Sequence, residues 1–208
     1  MAEPEGIVTD YATYAEEIIP RFEQLSTAEI LAPVSVFLPR EPSYILDVGA
    51  GTGRDANWFA NQGHRVVAAE PVNELAEHGK RLHSTSIEWV DDRLPDLCVL
   101  RRRKRLYDVI LVGAVWHHLD RDESIASLRT LRALLATKGR LILSLKQFVS
   151  GSRNDSQVVS REALSGDITK NGLRVVYSAS ARSHQAHNMA AGTTWVWFVA
   201  EHDQGGCP

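Results

Sequence analysis

The sequence predicts an α/β fold: a mostly parallel sheet of seven strands with an antiparallel last strand, covered by helices and preceded by an N-terminal helical cap. Three observations predict it. Within residues 44–70, a strand, a glycine turn, a helix and a second strand ending on an acid follow one another. Short apolar runs then alternate with amphipathic helical patterns as far as residue 145, the rhythm of βα units. Finally, two apolar runs at 173–179 and 194–200 are joined by a polar, histidine-bearing connection, which implies an antiparallel pair.

Length and composition bound the answer. The 208 residues suit one domain that buries roughly 70% of its unfolded surface. The expected layout is a cap over 1–40 within the same domain, the main domain over 41–202 and a tail over 203–208. Hydrophobic content of 44% and charged content of 24% are globular values that point away from disorder. No stretch approaches the roughly 20 apolar residues of a membrane span. The net charge of −3 argues against a generally basic nucleic-acid binder. Cys98 and Cys207 give neither metal spacing nor a disulfide framework, which fits a cytoplasmic protein. Glu3 and Glu5 stand where a secretory leader would be basic and then apolar.

The cap comes first in the chain. Residues 9–25 have a helical rhythm, with Tyr11, Tyr14, Ala15, Ile18, Ile19 and Phe22 largely on one face and Pro20 interrupting the middle. A second apolar piece at 30–38 is broken by Pro33. The first strand, Tyr44–Val48, is short, apolar and partly β-branched. Gly49, Gly51 and Gly53 follow, where the backbone turns sharply and approaches a ligand closely. Ala56, Phe59 and Ala60 then mark a helix closed by Gly63, and a second strand, Arg65–Ala69, ends on Glu70.

An acid about twenty residues after such glycines lies at the tip of the next strand, within reach of ribose hydroxyls. The glycine spacing is G-x-G-x-G, and Asp47 sits two residues ahead of the first glycine. A carboxylate there repels a pyrophosphate and attracts an ammonium group, which points away from a dinucleotide.

The D-x-G-x-G-x-G run and Glu70 resemble the first two motifs of class I S-adenosylmethionine (SAM)-dependent methyltransferases. The resemblance implies their Rossmann-like sheet, with the loop from Gly49 through Ala50 and Gly51 to Gly53 against the methionine and ribose of SAM. Asp47 would face the ammonium end and Glu70 the ribose. In that family the N-terminal cap often folds over the cofactor and helps select the substrate. Tyr11 and Tyr14 are then placed to line the methyl-donor pocket; the alternative is that they hold the cap down through core contacts.

The remaining elements follow in order. Residues 73–83 read as a second helix with Asn73 as N-cap, and 87–90 as the third strand. Asp91 or Asp92, just beyond it, resembles the family position that hydrogen-bonds the adenine amino group, and Leu94 gives that ring an apolar face. Arg101, Arg102, Arg103, Lys104 and Arg105 read as a solvated turn at the amino edge of the sheet. Tyr107–Val112 is the fourth strand and matches the family's pattern.

Gly113, Ala114 and Trp116 to Leu119 follow it, in the segment that borders both cofactor and substrate in related enzymes. The histidine-leucine ending resembles small-molecule methyltransferases, and the Asn/Asp-Pro-Pro-aromatic signature of amino-methylating enzymes is absent. His117 is the candidate base, since a free imidazole pKa of about 6.5 suits proton acceptance near neutrality. Trp116 and His118 are candidate substrate contacts, with a helix-capping or exposed role as the alternative for His118.

Asp120 and Glu123 have capping-box spacing ahead of a helix that stops at Lys138 and Gly139. Residues 140–145 form the fifth strand, and Lys146 and Arg153 are the candidate cations for an acidic substrate, with solvated surface residues as the alternative. Ser160 caps a last helix ending at Asn171 and Gly172. Trp195 and Trp197 share one face of the final strand, expected to be core.

The expected function is transfer of a methyl group from SAM to O, N or S of a small molecule, with no metal, no membrane and no nucleic acid, by a monomer or a homodimer. The alternatives are an RNA or protein methyltransferase, a non-catalytic SAM-binding regulatory subunit, and a nicotinamide dehydrogenase that Asp47 disfavours.

Overall fold

Seven strands form one sheet: β1 (Tyr44–Val48), β2 (Arg65–Ala69), β3 (Glu88–Val90), β4 (Tyr107–Val112), β5 (Leu135–Gln147), β6 (Leu173–Arg182) and β7 (Thr194–His202). Their order is β3-β2-β1-β4-β5-β7-β6. The first five are parallel, and β7 runs antiparallel between β5 and β6. This computed structural model describes residues 4–147 and 159–203. Arg153, the loop around it and Cys207 lie outside the described residues.

Side-chain alternation sorts each strand between two apolar layers. Leu46 and Val48 of β1, Val67 and Ala69 of β2, and Ile110 and Val112 of β4 face one layer. Three helices cover it: α6 (Cys98–Arg103), α7 (Arg121–Leu134) and α8 (Arg161–Lys170). Ile45, Val66, Ala68, Val109 and Leu111 face the other, beneath α3 (Thr27–Ile30), α4 (Arg54–Ala60) and the 3-10 turn Ala32–Phe37. A third, smaller cluster joins the cap, α1 (Pro4–Thr13) and α2 (Ala15–Glu23), to Val72 and to Leu75 of α5 (Asn73–Leu82). The described part of the cap thus packs onto the main sheet domain.

Several boundaries differ from the sequence expectation. The cap breaks at Tyr14 (φ −103°, ψ 16°), and α2 runs on through Pro20. A proline clashes with the carbonyl four residues back, here Glu16, so a break just ahead of that turn relieves it. Val72, not Asn73, is the N-cap of α5, and it has no side-chain cap of its own. The arginine run is not a turn; Arg101, Arg102 and Arg103 belong to α6. Asp92 makes that helix possible by accepting the Val99 and Leu100 amides, each at 2.9 Å. Arg103 and Arg105 pair with Glu88 at 2.5 and 2.8 Å across an exposed surface. Such pairs contribute at most about 1 kcal/mol.

Helix α7 carries the expected capping box of Asp120 and Glu123 but ends at Leu134, and β5 begins at once. Its pairing with β4 shifts register between Tyr107 and Val109, and Gly139 packs where a Cβ would lie 2.8 Å from the Tyr107 carbonyl. The β6–β7 connection, expected as a polar loop, contains α9 (Ala186–Ala190).

Close packing of α5 on the glycine loop gives a direct test. A Cβ on Gly79 would lie 2.2 Å from the Thr52 carbonyl oxygen and 2.6 Å from the Trp89 ring. Gly79→Ala gains up to about 1 kcal/mol of helix propensity but forces overpacking of about 1–3 kcal/mol. We expect a net loss, read as a lower urea midpoint; an equal or higher midpoint would mean that Thr52 and Trp89 yield freely.

Candidate active site

Strand order reverses between β1 and β4, and in open α/β sheets the crevice beyond the carboxyl ends at such a point is where ligands bind. A cavity of about 570 Å³ opens there. The alternation that buries Ile45 and Ala68 under α4 continues upward to Asp47 and Glu70, so both acids emerge on the same side of the sheet. The same alternation, two residues on from Leu111 and Ile142, brings Gly113, Ser144 and Lys146 to the cavity wall.

The glycine loop is shaped by its own amides. Gly49 and Ala50 both donate to the Ala69 carbonyl, at 2.8 and 3.1 Å. Gly49 has φ +67°, and a Cβ there would meet Val115 Cγ2 at 2.3 Å, so no other residue fits without a shift. Gly51 donates to Glu70 Oε2 at 2.7 Å, while Glu70 Oε1 accepts the Val72 amide at 2.8 Å. One carboxylate therefore ties the loop to the start of α5. Burial pushes the Glu70 carboxyl up to about 7, against the two amide hydrogen bonds that hold it down; nearby Asp91 adds to the rise.

Asp47 is only 3% exposed and lines the cavity. The Ala56 amide serves the carboxylate, but Oδ2 is buried with no hydrogen-bond partner. Burial, then Asp55 and Glu70, raises its pKa well above the usual range, with Arg54 opposing. Buried acceptors are seldom left orphaned, so this oxygen fits a ligand that brings a donor or a positive charge. Arg54 and Asp55, which the sequence reading did not single out, lock the cap onto the loop. Arg54 binds Asp55 through two nitrogens at 2.9 Å each and donates to the Phe22 carbonyl, and Thr27 donates to Asp55 at 2.7 Å.

Gly53 does not line the cavity; at φ +76° it caps α4 and packs against Trp89. Asp91 is exposed and outside the cavity wall, whereas Asp92 and Leu94 are buried and on it. Asp92 accepts three amides, from Arg93, Val99 and Leu100, so its first task is to cap α6.

The far end of the cavity is built from the segment after β4, the antiparallel strands and the cap. Ala114, at φ +57°, donates its amide to Ser144 Oγ at 2.9 Å. The 3-10 turn Trp116–His118 then sends the Trp116 indole into the core. Trp116, expected as a substrate contact, is fully buried and does not line the cavity, because the turn leaves only the two imidazoles on the cavity side. Tyr11 bonds His118 Nε2 through its hydroxyl at 3.2 Å, tying α1 to this turn. Tyr14 lines the rim and is 55% exposed.

His117 stacks at 4.1 Å from His118 and edge-on to Trp195 at 5.7 Å. Burial, then the neighbouring His118 and Lys146, holds its pKa well below 6.5. Its Nδ1 is buried without a partner, so charging the ring would also risk an unsatisfied N–H. His117 is therefore a neutral hydrogen-bonding group near pH 7. It lacks the orienting partner that an activated base has. Trp197 is core as expected but also borders the cavity, and the half-buried Trp195 lines the cavity beside it. Ser183, Gln185 and Asn188 of the β6–β7 connection complete that wall. No spacing rule marks them, since the fold alone returns this connection to the site. Among the described residues no cluster of potential metal ligands occurs.

A family model described as a methyltransferase domain matches residues 21–178. An uncharacterized methyltransferase of Alkaliphilus oremlandii is 27% identical over 105 residues, covering 50% of this chain and 46% of the relative. The matched segment thus spans about half the length of that curated relative. Among solved structures, a TehB-like SAM-dependent methyltransferase from Corynebacterium glutamicum has a TM-score of 0.66 at 18% identity, covering 95% of this chain and 99% of that one. The 1,6-didemethyltoxoflavin-N1-methyltransferase of Burkholderia thailandensis, solved with bound 1,6-didemethyltoxoflavin and S-adenosylhomocysteine, has a TM-score of 0.69 at 22% identity, covering 97% and 91%. Magnesium protoporphyrin IX methyltransferase of Synechocystis PCC 6803, with S-adenosylhomocysteine, has a TM-score of 0.70 at 14% identity, covering 95% and 99%. At these identities the likeness establishes the fold.

Glu70 gives the unliganded site a pH signature. Its folded pKa of about 7 lies above the ordinary 4.5, so its contribution to stability is whole below 4.5 and is lost as pH rises through 7. We expect the ligand-free protein to lose stability between about pH 5 and pH 7.5, by on the order of 3 kcal/mol from this group. Glu70→Gln should flatten that part of the profile in thermal melts, and an unaltered slope would show that Glu70 is ionised throughout.

Proposed function

We propose, on the premise that this chain belongs to the methyltransferase-domain family, that it transfers a methyl group from SAM to an O, N or S nucleophile on a small molecule. SAM is the methyl donor of the family. The observation that carries the residue-level reading is the orphaned Oδ2 of Asp47, a residue of the cavity wall beside the glycine loop and Glu70.

In this reading Asp47 binds the cofactor ammonium, and Glu70 uses its remaining lone pairs on the ribose hydroxyls. Gly49, Ala50 and Gly51 supply a wall without large side chains, Gly113 and Ala114 border the cofactor opposite them, and Leu94 with Asp92 serves the adenine. When bound, SAM supplies an activated methyl group that needs no covalent help from the protein. The chain's residues orient the reactants and exclude water. Neutral His117 accepts or donates a hydrogen bond to the acceptor, and a proton lost from the acceptor leaves through the open side of the cavity. The cap over 1–40 acts within the domain as a roof held by Arg54 and by the Tyr11–His118 bond.

A small acceptor is favoured over nucleic acid by the arginines. Arg103 and Arg105 are engaged with Glu88, and Arg105 stacks on Tyr44 at the amino end of β1, the opposite edge from the cavity. No helix among the described residues is long and apolar enough to cross a membrane.

Calorimetric titration with S-adenosylhomocysteine, with NAD as control, tests the reading. We expect binding of the first and none of the second, with Asp47→Asn weakening the first at least about tenfold, or ~1.4 kcal/mol. Because burial and the neighbouring acids oppose a charge at Asp47, a neutral amide there should leave the ligand-free variant melting no lower than the wild type. Undiminished affinity in Asp47→Asn would remove Asp47 from the site. Affinity should also rise between pH 6 and 8 as Glu70 ionises to accept hydroxyl donors; a flat profile would remove the ribose contact.

A further inference from the structure

Beside the cavity, one strand stops while its neighbour continues. Strand β4 ends at Val112, which is also its last residue paired with β5, opposite Leu143. Strand β5 runs on to Gln147, held on its other side by β7, where Ser144 is opposed by Trp197. Ser144 therefore stands on a fixed strand just where Gly113 and Ala114 leave the sheet. It is 2% exposed and belongs to the cavity wall. Its Oγ accepts the Ala114 amide at 2.9 Å, a side-chain substitute for the ladder that ended with β4.

The backbone at Ala114 is unusual. Its φ of +57° is a left-handed conformation that an alanine avoids, because its Cβ crowds the neighbouring carbonyl. The side chain is exposed rather than packed in the core, so the conformation is held from the backbone side. What the turn accomplishes is visible in the residues after it. Val115 lies against the glycine loop, with Cγ2 2.3 Å from where a Gly49 Cβ would be. The Val115 carbonyl accepts the His118 amide at 2.9 Å, which begins the 3-10 turn that carries both imidazoles. A different backbone direction at Ala114 would take Val115 off the glycine loop and His117 and His118 off the cavity wall.

We propose that Ser144 is a positioning residue of the methyl-transfer site: its hydroxyl holds Ala114 in the left-handed turn, which sets Val115 against the glycine loop and both imidazoles on the cavity wall. The inference rests on the methyl-transfer reading and adds to it the group that fixes one side of the pocket. Because Ser144 acts through Ala114, its loss lowers the fraction of molecules whose pocket is formed, and the apparent affinity falls by that fraction. Glycine at position 114 removes the dependence, since it adopts positive φ at no steric cost.

Titration of the full chain with S-adenosylhomocysteine tests this, with a urea midpoint for each variant to report that it is folded. We expect Ser144→Ala to weaken binding at least about fivefold in the wild-type background, but less than about twofold relative to an Ala114→Gly parent. Ala114→Val leaves the hydroxyl in place and disfavours positive φ further, so it should also weaken binding at least about fivefold. That variant decides the matter if Ser144→Ala does not fold. Undiminished affinity in Ser144→Ala or in Ala114→Val would overturn the inference. So would an equal loss from Ser144→Ala in both backgrounds, which would mean that the hydroxyl meets the ligand directly, or a lack of binding by Ala114→Gly itself. Each of these leaves the methyl-transfer reading standing. Failure of the wild type to bind S-adenosylhomocysteine would instead overturn that reading, and the role of Ser144 with it.

Discussion

A single buried carboxylate holds the site together. Glu70 accepts one amide from the glycine loop and one from the residue that caps α5, and the close packing of Gly79 against the Thr52 carbonyl keeps the same register. Each bond is short, and both donors would otherwise be buried without partners near the cavity. The arrangement also sets the electrostatics. Burial makes ionisation of Glu70 costly enough that its proton is lost near neutrality. An unliganded site of this kind is destabilised by its own acids, and a ligand carrying donors or positive charge relieves that cost.

The location of the site follows from strand periodicity. Along β1, β2 and β4, and from Ile142 onward in β5, the face that carries Ile45 is apolar until the strand reaches its carboxyl end, where it presents Asp47, Glu70, Gly113, Ser144 and Lys146. Chemistry-bearing residues therefore stand on top of a core layer and inherit its rigidity. Small residues serve the opposite purpose. Gly49 lies so close to Val115, and Gly79 to Thr52, that any Cβ would push the loop or the helix away from the crevice.

Polarity is divided within one cavity. Asp47 and Glu70 line one part of it, and His117, His118, Lys146 and Trp195 line another. The cap reaches both, through Arg54 with the Phe22 carbonyl and Thr27 with Asp55 beside the glycine loop, and through Tyr11 with His118. A substitution in the cap would thus be felt across the cavity, although no cap residue lies in the sheet.

The sequence by itself determined the strands β1, β2 and β4 to the residue, the glycine loop between two acids, the capping box at Asp120 and the antiparallel close. Each of these is written in neighbouring residues: apolar runs, positive-φ glycines, and side chains that reach an amide three residues away. What only the tertiary structure decided depends on partners far along the chain. Asp92 holds α6 through amides seven and eight residues on, which turned an expected basic turn into a helix. Trp116 and His117 are adjacent, yet one is core and the other lines the cavity, because α7 and α8 supply an apolar layer on one side only. Trp195 and Trp197 share a face and both border the cavity, but only the second is buried in the core layer. Spacing fixes which way a side chain points; what it then meets is set by elements a hundred residues away, whose placement no local pattern encodes.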